Sequence, residues 1–149
     1  MNVLVAVELT QNDEQIINKA LDLAKLNNAK FHLVHVIEPV YTYGYSYGCT
    51  YGYSYGVATP VLNSPQQYES YVRKKISLLG SKFGIPKENL FVMGGHVKKE
   101  ILELAHIIDA DLLVMGNHRK NGFKSLLNSS RTAKFVKDTE CDMLAVSTA

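Results

Sequence analysis

The sequence predicts a doubly wound α/β domain in which five parallel strands alternate with four helices. Two observations carry this. Short runs rich in apolar and β-branched residues recur along the chain: VLVAV at 3–7, KFHLVHVI at 30–37, NLFVMGG at 89–95, DLLVMG at 111–116 and CDMLAV at 141–146. Their length and near-continuous apolarity suit strands covered on both faces. Between them, apolar residues return every three or four positions, as in helices with one buried stripe.

The first run is strand 1. Ile16, Ile17, Ala20, Leu21 and Ala24 then repeat at helical spacing, with Thr10 as the expected N-cap and Asp13 three residues on. Strand 2 follows after one helix, which defines a βαβ unit and requires a right-handed crossover. Residues 38–64 carry no helical period, contain Pro39 and Pro60, and are predicted to be a long Tyr/Gly-rich connection. Regular structure resumes at Ser64, an N-cap followed by Pro65 in the first turn and by Gln67, which completes a capping box. Helix 2 should run from Pro65 to about Lys82. Ile101, Leu102, Ala105 and Ile108 mark one face of helix 3, and Leu126, Leu127, Ala133 and Val136 mark helix 4.

The 149 residues are the length of one domain, and residues 1–149 are expected to form a single one. Sixteen basic and fourteen acidic side chains leave a net charge of +2, scattered without a basic stripe, so nothing predicts nucleic acid or an anionic membrane as a partner. The two cysteines, Cys49 and Cys141, lack the close spacing of a zinc site or redox pair and suit a reducing cytoplasm. The start MNVLVAVELT has no basic region and only five consecutive apolar residues, which predicts a soluble, unprocessed chain.

In an open parallel sheet, ligands bind outside the carboxyl ends of strands whose connections diverge. Strands 1 and 4 supply those ends, namely Ala6, Val7 and Glu8, and Met115, Gly116, Asn117, His118 and Arg119.

The run MGNHRKNGFKSLLNSSRTAKFVKDTECDML at 115–144 resembles the C-terminal signature of the universal stress protein family. The stretch VLVAVELTQNDEQIINKALDLAKLNNAKFHLVHV looks like that family's first βαβ unit, and GGHVKKEILELAHIIDADLLVMG like its third helix and fourth strand. Only residues 38 to about 66 fall outside the likeness. It implies a Rossmann-like sheet with strand order 3-2-1-4-5. It also implies a homodimer paired through the last strand, Cys141 to Val146, whose apolar edge would otherwise stand exposed.

Nucleotide-binding members of the family have a phosphate loop of glycine, two residues, glycine, nine residues, glycine, then serine or threonine. Glycines admit backbone N–H groups to the phosphates, and the following helix points its N-terminus at the anion. Here the pattern is Gly116, two residues, Arg119, nine residues, Ser129, Ser130, so two of three glycines are replaced. Glu8 stands where ATP-binding members carry aspartate. The loop is similar instead to the A-type branch, which is understood not to bind ATP. The expectation is therefore no cofactor, with ATP as the alternative: Arg119 would supply a guanidinium to a phosphate, and Ser129 and Ser130 would donate from a helix N-terminus. Ser129 and Ser130 are read as an N-cap pair, although the family likeness also implies phosphorylation on serine or threonine.

No catalytic constellation is present in the pattern. His118 is read as an exposed loop histidine, and His32 and His35, three apart on strand 2, point to opposite faces and are read as satisfied structural residues. His96 and His106 have no partner at metal-ligand spacing. Lys98 and Lys99 are expected on a solvated face, and Cys141 as a small buried apolar group.

Three functions follow. The first is a cytoplasmic, non-enzymatic stress-response homodimer acting through protein contacts. The second is an ATP-binding regulatory switch with weak or no hydrolysis. The third rests on YTYGYSYGCTYGYSYG at 41–56, which holds seven of the nine tyrosines. Folding that tract about Gly48, Cys49 and Thr50 pairs Tyr47 with Tyr51, Tyr45 with Tyr53 and Tyr43 with Tyr55. It predicts a hairpin whose Tyr43 to Tyr55 ladder meets a protein or glycan.

Overall fold

A computed structural model describes residues 1–38, 65–117 and 137–148. The predicted hairpin at 41–56, the fourth helix and the loop residues His118, Arg119, Ser129 and Ser130 lie outside these described residues. Within them the chain runs β1 (Asn2–Ala6), α1 (Asp13–Leu26), β2 (Lys30–Ile37), α2 (Pro65–Phe83), a 3-10 turn (Lys87–Asn89), β3 (Leu90–Gly94), α3 (Val97–Ile107), β4 (Leu112–Asn117) and β5 (Asp142–Ser147). All the pairings are parallel, in the order β3-β2-β1-β4-β5.

Parallel pairing with β1 at the centre requires cover on both faces, and the alternation of side chains divides the core accordingly. Val3 and Val5 of β1 and Val7 just past its end, with Leu33 and Val114, face α1 and α2 through Ile16, Ile17, Ala20, Val72 and Ile76. Leu4 and Ala6, with Val34, Leu113 and Met115, face α3 through Ile101, Leu104 and Ala105. Register is fixed by this division, since a slip of one residue would exchange the two faces. Val5 lies between Leu33 and Val114, and Ala6 between Val34 and Met115.

Strand ends differ from the sequence expectation by a residue or so. β1 begins at Asn2 because its N–H donates to Asp111 Oδ2 at 2.6 Å, and β4 and β5 each start and end one residue later than the apolar runs suggest. α2 matches the expected Pro65–Lys82 to within a residue.

Each described α-helix returns to the sheet through the same grip. After α1, Asn28 takes φ +48 while its N–H donates to the Lys25 carbonyl and that of Ala29 to the Ala24 carbonyl. Gly84 (φ +66) with Ile85, and Asp109 (φ +49) with Ala110, repeat this after α2 and α3. It is the Schellman motif, which needs one left-handed residue just past the helix and satisfies two carbonyls there.

Candidate functional site

The rim to which the strand order points lies at the carboxyl ends of β1 and β4, neighbours whose connections leave towards opposite edges. Ala6 and Met115 are the last paired residues between these strands. Ala6, Val7, Met115 and Gly116 are buried, Asn117 is exposed, and Glu8 retains 7% exposure. Six of the ten sequence-predicted site residues are therefore described and stand together; the other four, His118, Arg119, Ser129 and Ser130, belong to the loop outside the described residues.

The turn from β1 into α1 is built around Asp13. Its carboxylate accepts the Glu8 N–H on Oδ1 at 3.2 Å and the Thr10 N–H on Oδ2 at 2.8 Å. Thr10 Oγ1 in turn accepts the Asn12 N–H at 3.3 Å. Only half of the expected capping box is made: Asp13 accepts the Thr10 N–H, but the Thr10 hydroxyl serves Asn12 and the Asp13 N–H goes to the Thr10 carbonyl, so regular helix begins at Asp13 with Asn12, not Thr10, as the flanking residue. Leu9 bridges the turn at φ +60. Asp13 is 1% exposed, and burial pushes its carboxyl up to about 6, against the pull of the Glu8, Thr10 and Leu9 amides.

Below the same turn, β2 contributes His35. Its Nδ1 lies 2.8 Å from the Val7 carbonyl oxygen, and since a carbonyl only accepts, the ring is the Nδ1–H tautomer. Burial holds its pKa down to about 4, opposed by that hydrogen bond, so the ring is neutral at physiological pH. Val7 also donates its N–H to the Val34 carbonyl at 2.9 Å. The peptide unit linking Val7 to Glu8 is consequently held at its oxygen by His35 and at its N–H by Asp13.

The end of β2 is tied to α3. Glu38 Oε1 accepts the Val97 N–H at 3.4 Å, at the helix start where a carboxylate is favoured, and the Gly95 N–H donates to the Ile37 carbonyl.

Other expectations shift. His32 and His35 do occupy opposite faces, but His32 is satisfied at one nitrogen only: Nε2 lies 3.4 Å from Asn2 Oδ1, while its buried Nδ1 has no hydrogen-bond partner among the described residues. Lys99 is exposed as expected, whereas Lys98 is only partly so: its Nζ pairs with Asp138 Oδ2 at 2.9 Å, joining α3 to the segment before β5. Cys141 is half-buried, and burial raises its thiol pKa. Together with Leu102, Ala105, His106, Asp109 and Glu140 it lines a groove of about 350 Å³ by the amino ends of β4 and β5, the opposite end of the strands from the rim. Among the described residues no His, Cys, Asp and Glu side chains gather in a metal-holding group, and no helix is long and apolar enough to cross a membrane.

Sequence inspection saw Asp13 only as a capping partner. The missed signal lay in the buried stripe of α1, which reads Asp13, Ile16, Ile17, Ala20, Ala24, so helical spacing carries the acid to the inward face.

A profile of the universal stress protein family matches residues 1–147. The chain belongs to the universal stress protein family. Its relatives include universal stress protein A homolog 1 of Coxiella burnetii, 33% identical over 97% of this chain and 94% of that protein. Among solved structures, a universal stress protein in complex with cAMP superposes with a TM-score of 0.64 at 18% identity, covering 100% of this chain and 98% of that one. A universal stress protein from Pseudomonas aeruginosa UCBPP-PA14 gives the same TM-score of 0.64 at 23% identity over 98% of this chain; the chain spans 47% of its length, about half. These structural likenesses establish the Rossmann-like fold.

Adenine nucleotides are the group the family implies for the rim, and the donor set fits them only in part. Glu8 supplies an acceptor at the β1 end, and Gly116 brings backbone without a side chain at the β4 end. The amides of the β1 turn, however, already serve Asp13. A phosphate would therefore depend on Arg119, Ser129 and Ser130 of the β4 loop.

Proposed function

We propose that this universal stress protein is a non-enzymatic cytoplasmic regulator that acts as a homodimer through protein contacts, and that its rim does not retain ATP. One observation carries the reading: of the three phosphate-loop glycines only Gly116 remains, Arg119 and Ser129 standing in the other two places. Both replacements put a side chain where amides would approach a phosphate. The engagement of the Glu8 and Thr10 amides by Asp13 supports it, because the β1 side then lends an anion no free donor from that pair. The dimer is supported by β5, an edge strand with Leu144 half-buried and Ala145 exposed, along the segment Cys141 to Val146.

Native mass spectrometry of freshly purified protein tests both parts at once. The expected species is a dimer of unmodified mass. Stoichiometric ATP or ADP on the native ion overturns the reading of the rim, and a monomer at all concentrations overturns the dimer.

An ATP-binding regulatory switch is the second reading, favoured by the acid and the glycine that Glu8 and Gly116 keep at the two strand ends. Calorimetry with ATP and magnesium distinguishes it, with cAMP as a second titrant because one structural neighbour binds it. Heat from either titrant, lost in Arg119→Ala, supports this reading over the first. The Tyr43 to Tyr55 tract as a platform for a protein or glycan is a third role, tested by deleting residues 41–56 and comparing captured partners.

A further inference from the structure

The grip on the Val7–Glu8 peptide goes beyond that reading. Two buried titratable side chains from different elements, one from the first turn of α1 and one from β2, meet a single peptide unit at the last residue before the rim. A carbonyl and an N–H of the same unit are bonded to opposite partners, so the plane of the peptide is fixed about the chain axis. Glu8 issues directly from it. We propose that Asp13 and His35 are positioning residues that lock this peptide and thereby aim Glu8 at the rim, and that protonation of Asp13 is the event that releases the lock.

The asymmetry between the two jaws follows from their chemistry. Ionised Asp13 offers two acceptor oxygens, and both are used, Oδ1 by Glu8 and Oδ2 by Thr10. Once protonated, one oxygen becomes a hydroxyl that donates, and the amides are left to compete for the remaining acceptor. His35 has no matching transition near neutrality. Its neutral Nδ1–H holds the Val7 carbonyl throughout, and protonation of the ring would leave that donor in place.

The surroundings leave Asp13 as the responsive group. On the same sheet face β4 contributes Val114, β5 contributes Val146, and α2 contributes Tyr68 and Val72, all buried. Among the described residues the titratable groups around this turn are Glu8 on the turn itself, His35 on β2, the Tyr68 hydroxyl of α2 and, at the surface, Glu14 of α1 paired with Lys82 of α2. The upward displacement of the Asp13 carboxyl traces to burial, opposed by the backbone amides, and not to any of these charges. Leu9, at φ +60, also turns its amide toward Asp13, so the grip holds the one strained residue of the turn in place.

The test needs no ligand and so stands apart from the reading of the rim. In a pH titration of the wild-type protein followed by amide NMR, the Glu8 and Thr10 signals are expected to move upfield together on acidification. One midpoint near pH 6 and falling exchange protection should accompany the shift, while Val5 and Val114 in the sheet stay put. Asp13→Asn should flatten both curves. Imidazole nitrogen shifts should show His35 as the Nδ1–H tautomer on both sides of that midpoint. Flat Glu8 and Thr10 curves in the wild type, curves that persist in Asp13→Asn, or an Nε2–H tautomer at His35 would each overturn the proposal.

Discussion

Gly80 of α2 lies so close to Leu90 of β3 that a Cβ on the glycine would stand 2.5 Å from Leu90 Cδ1 and 2.9 Å from Cδ2. The glycine here sets how near the helix approaches the sheet edge. Ala in mid-helix normally gains about 0.5–1 kcal/mol over Gly, whereas overpacking costs about 1–3 kcal/mol. Gly80→Ala should therefore destabilise the protein by about 1 kcal/mol. In a Leu90→Ala background the clash is absent and the same change should become neutral or stabilising. Urea denaturation of the four proteins in the cycle measures the reversal, and its absence would show that α2 simply shifts.

Asp13 and His35 act on stability with opposite signs. The Asp13 carboxyl is raised from 3.8 to about 6 on folding, so the folded state holds the extra proton and stability falls as pH rises through that window. His35 is lowered from 6.5 to about 4, so the unfolded state holds the extra proton and stability rises with pH over nearly the same range. Each displacement corresponds to about 3 kcal/mol at full effect. The two should nearly cancel in the wild type. Asp13→Asn is expected to expose the His35 contribution as stability that climbs with pH between the two His35 values, and His35→Gln to expose the opposite slope. Denaturation midpoints across that interval measure this; a variant with the wild-type profile would refute the assignment.

Surface pairs should matter little. Glu69 and Arg73 meet at 2.8 Å one helical turn apart on α2, with both side chains half exposed or more. Removing either should change stability by no more than about 0.5 kcal/mol. Lys98, only 22% exposed where it meets Asp138, has more to lose. Lys98→Ala should cost up to about 1 kcal/mol and raise hydrogen exchange in residues 137–141 before it does so elsewhere.

The proposed pairing of β5 with a second copy makes a prediction about the edge. Ala145 is exposed on that strand, so Ala145→Asp should leave the fold intact and set like charges near each other across the two-fold axis. Analytical ultracentrifugation should then report a monomer. A dimer that survives the change would place the interface elsewhere.

The sheet was legible because its signal is collective. VLVAV, KFHLVHVI and DLLVMG each carry several β-branched or apolar residues, and no single substitution would erase the pattern. Strand ends were less legible because they depend on individual bonds such as Asn2 to Asp111, which join residues far apart in sequence. Asp13 shows a different limit. Its place on the inward stripe was visible, but a polar residue there reads as a cap until the strand-1 amides are seen to turn back onto it. Lys98 was misjudged for a similar reason, its partner Asp138 being 40 residues away. The rim is a candidate that strand order alone indicates, with Glu8 just past β1 and Gly116 next to the last residue of β4.

The grip at Asn28, Gly84 and Asp109 has a consequence for how this chain can vary. All of those returns lie at the amino ends of the strands and complete within a few residues of each helix end, so the frame is pinned there by short-range bonds. The long stretches of sequence, 39–64 after β2 and 118–136 after β4, both leave from the carboxyl ends. The tyrosine repeat at 41–56 accordingly enters the sequence just past the carboxyl end of β2, beyond the paired residues of the described strands. The short bonds that set each helix against its next strand and the origins of the two long stretches thus stand at opposite ends of the same strands.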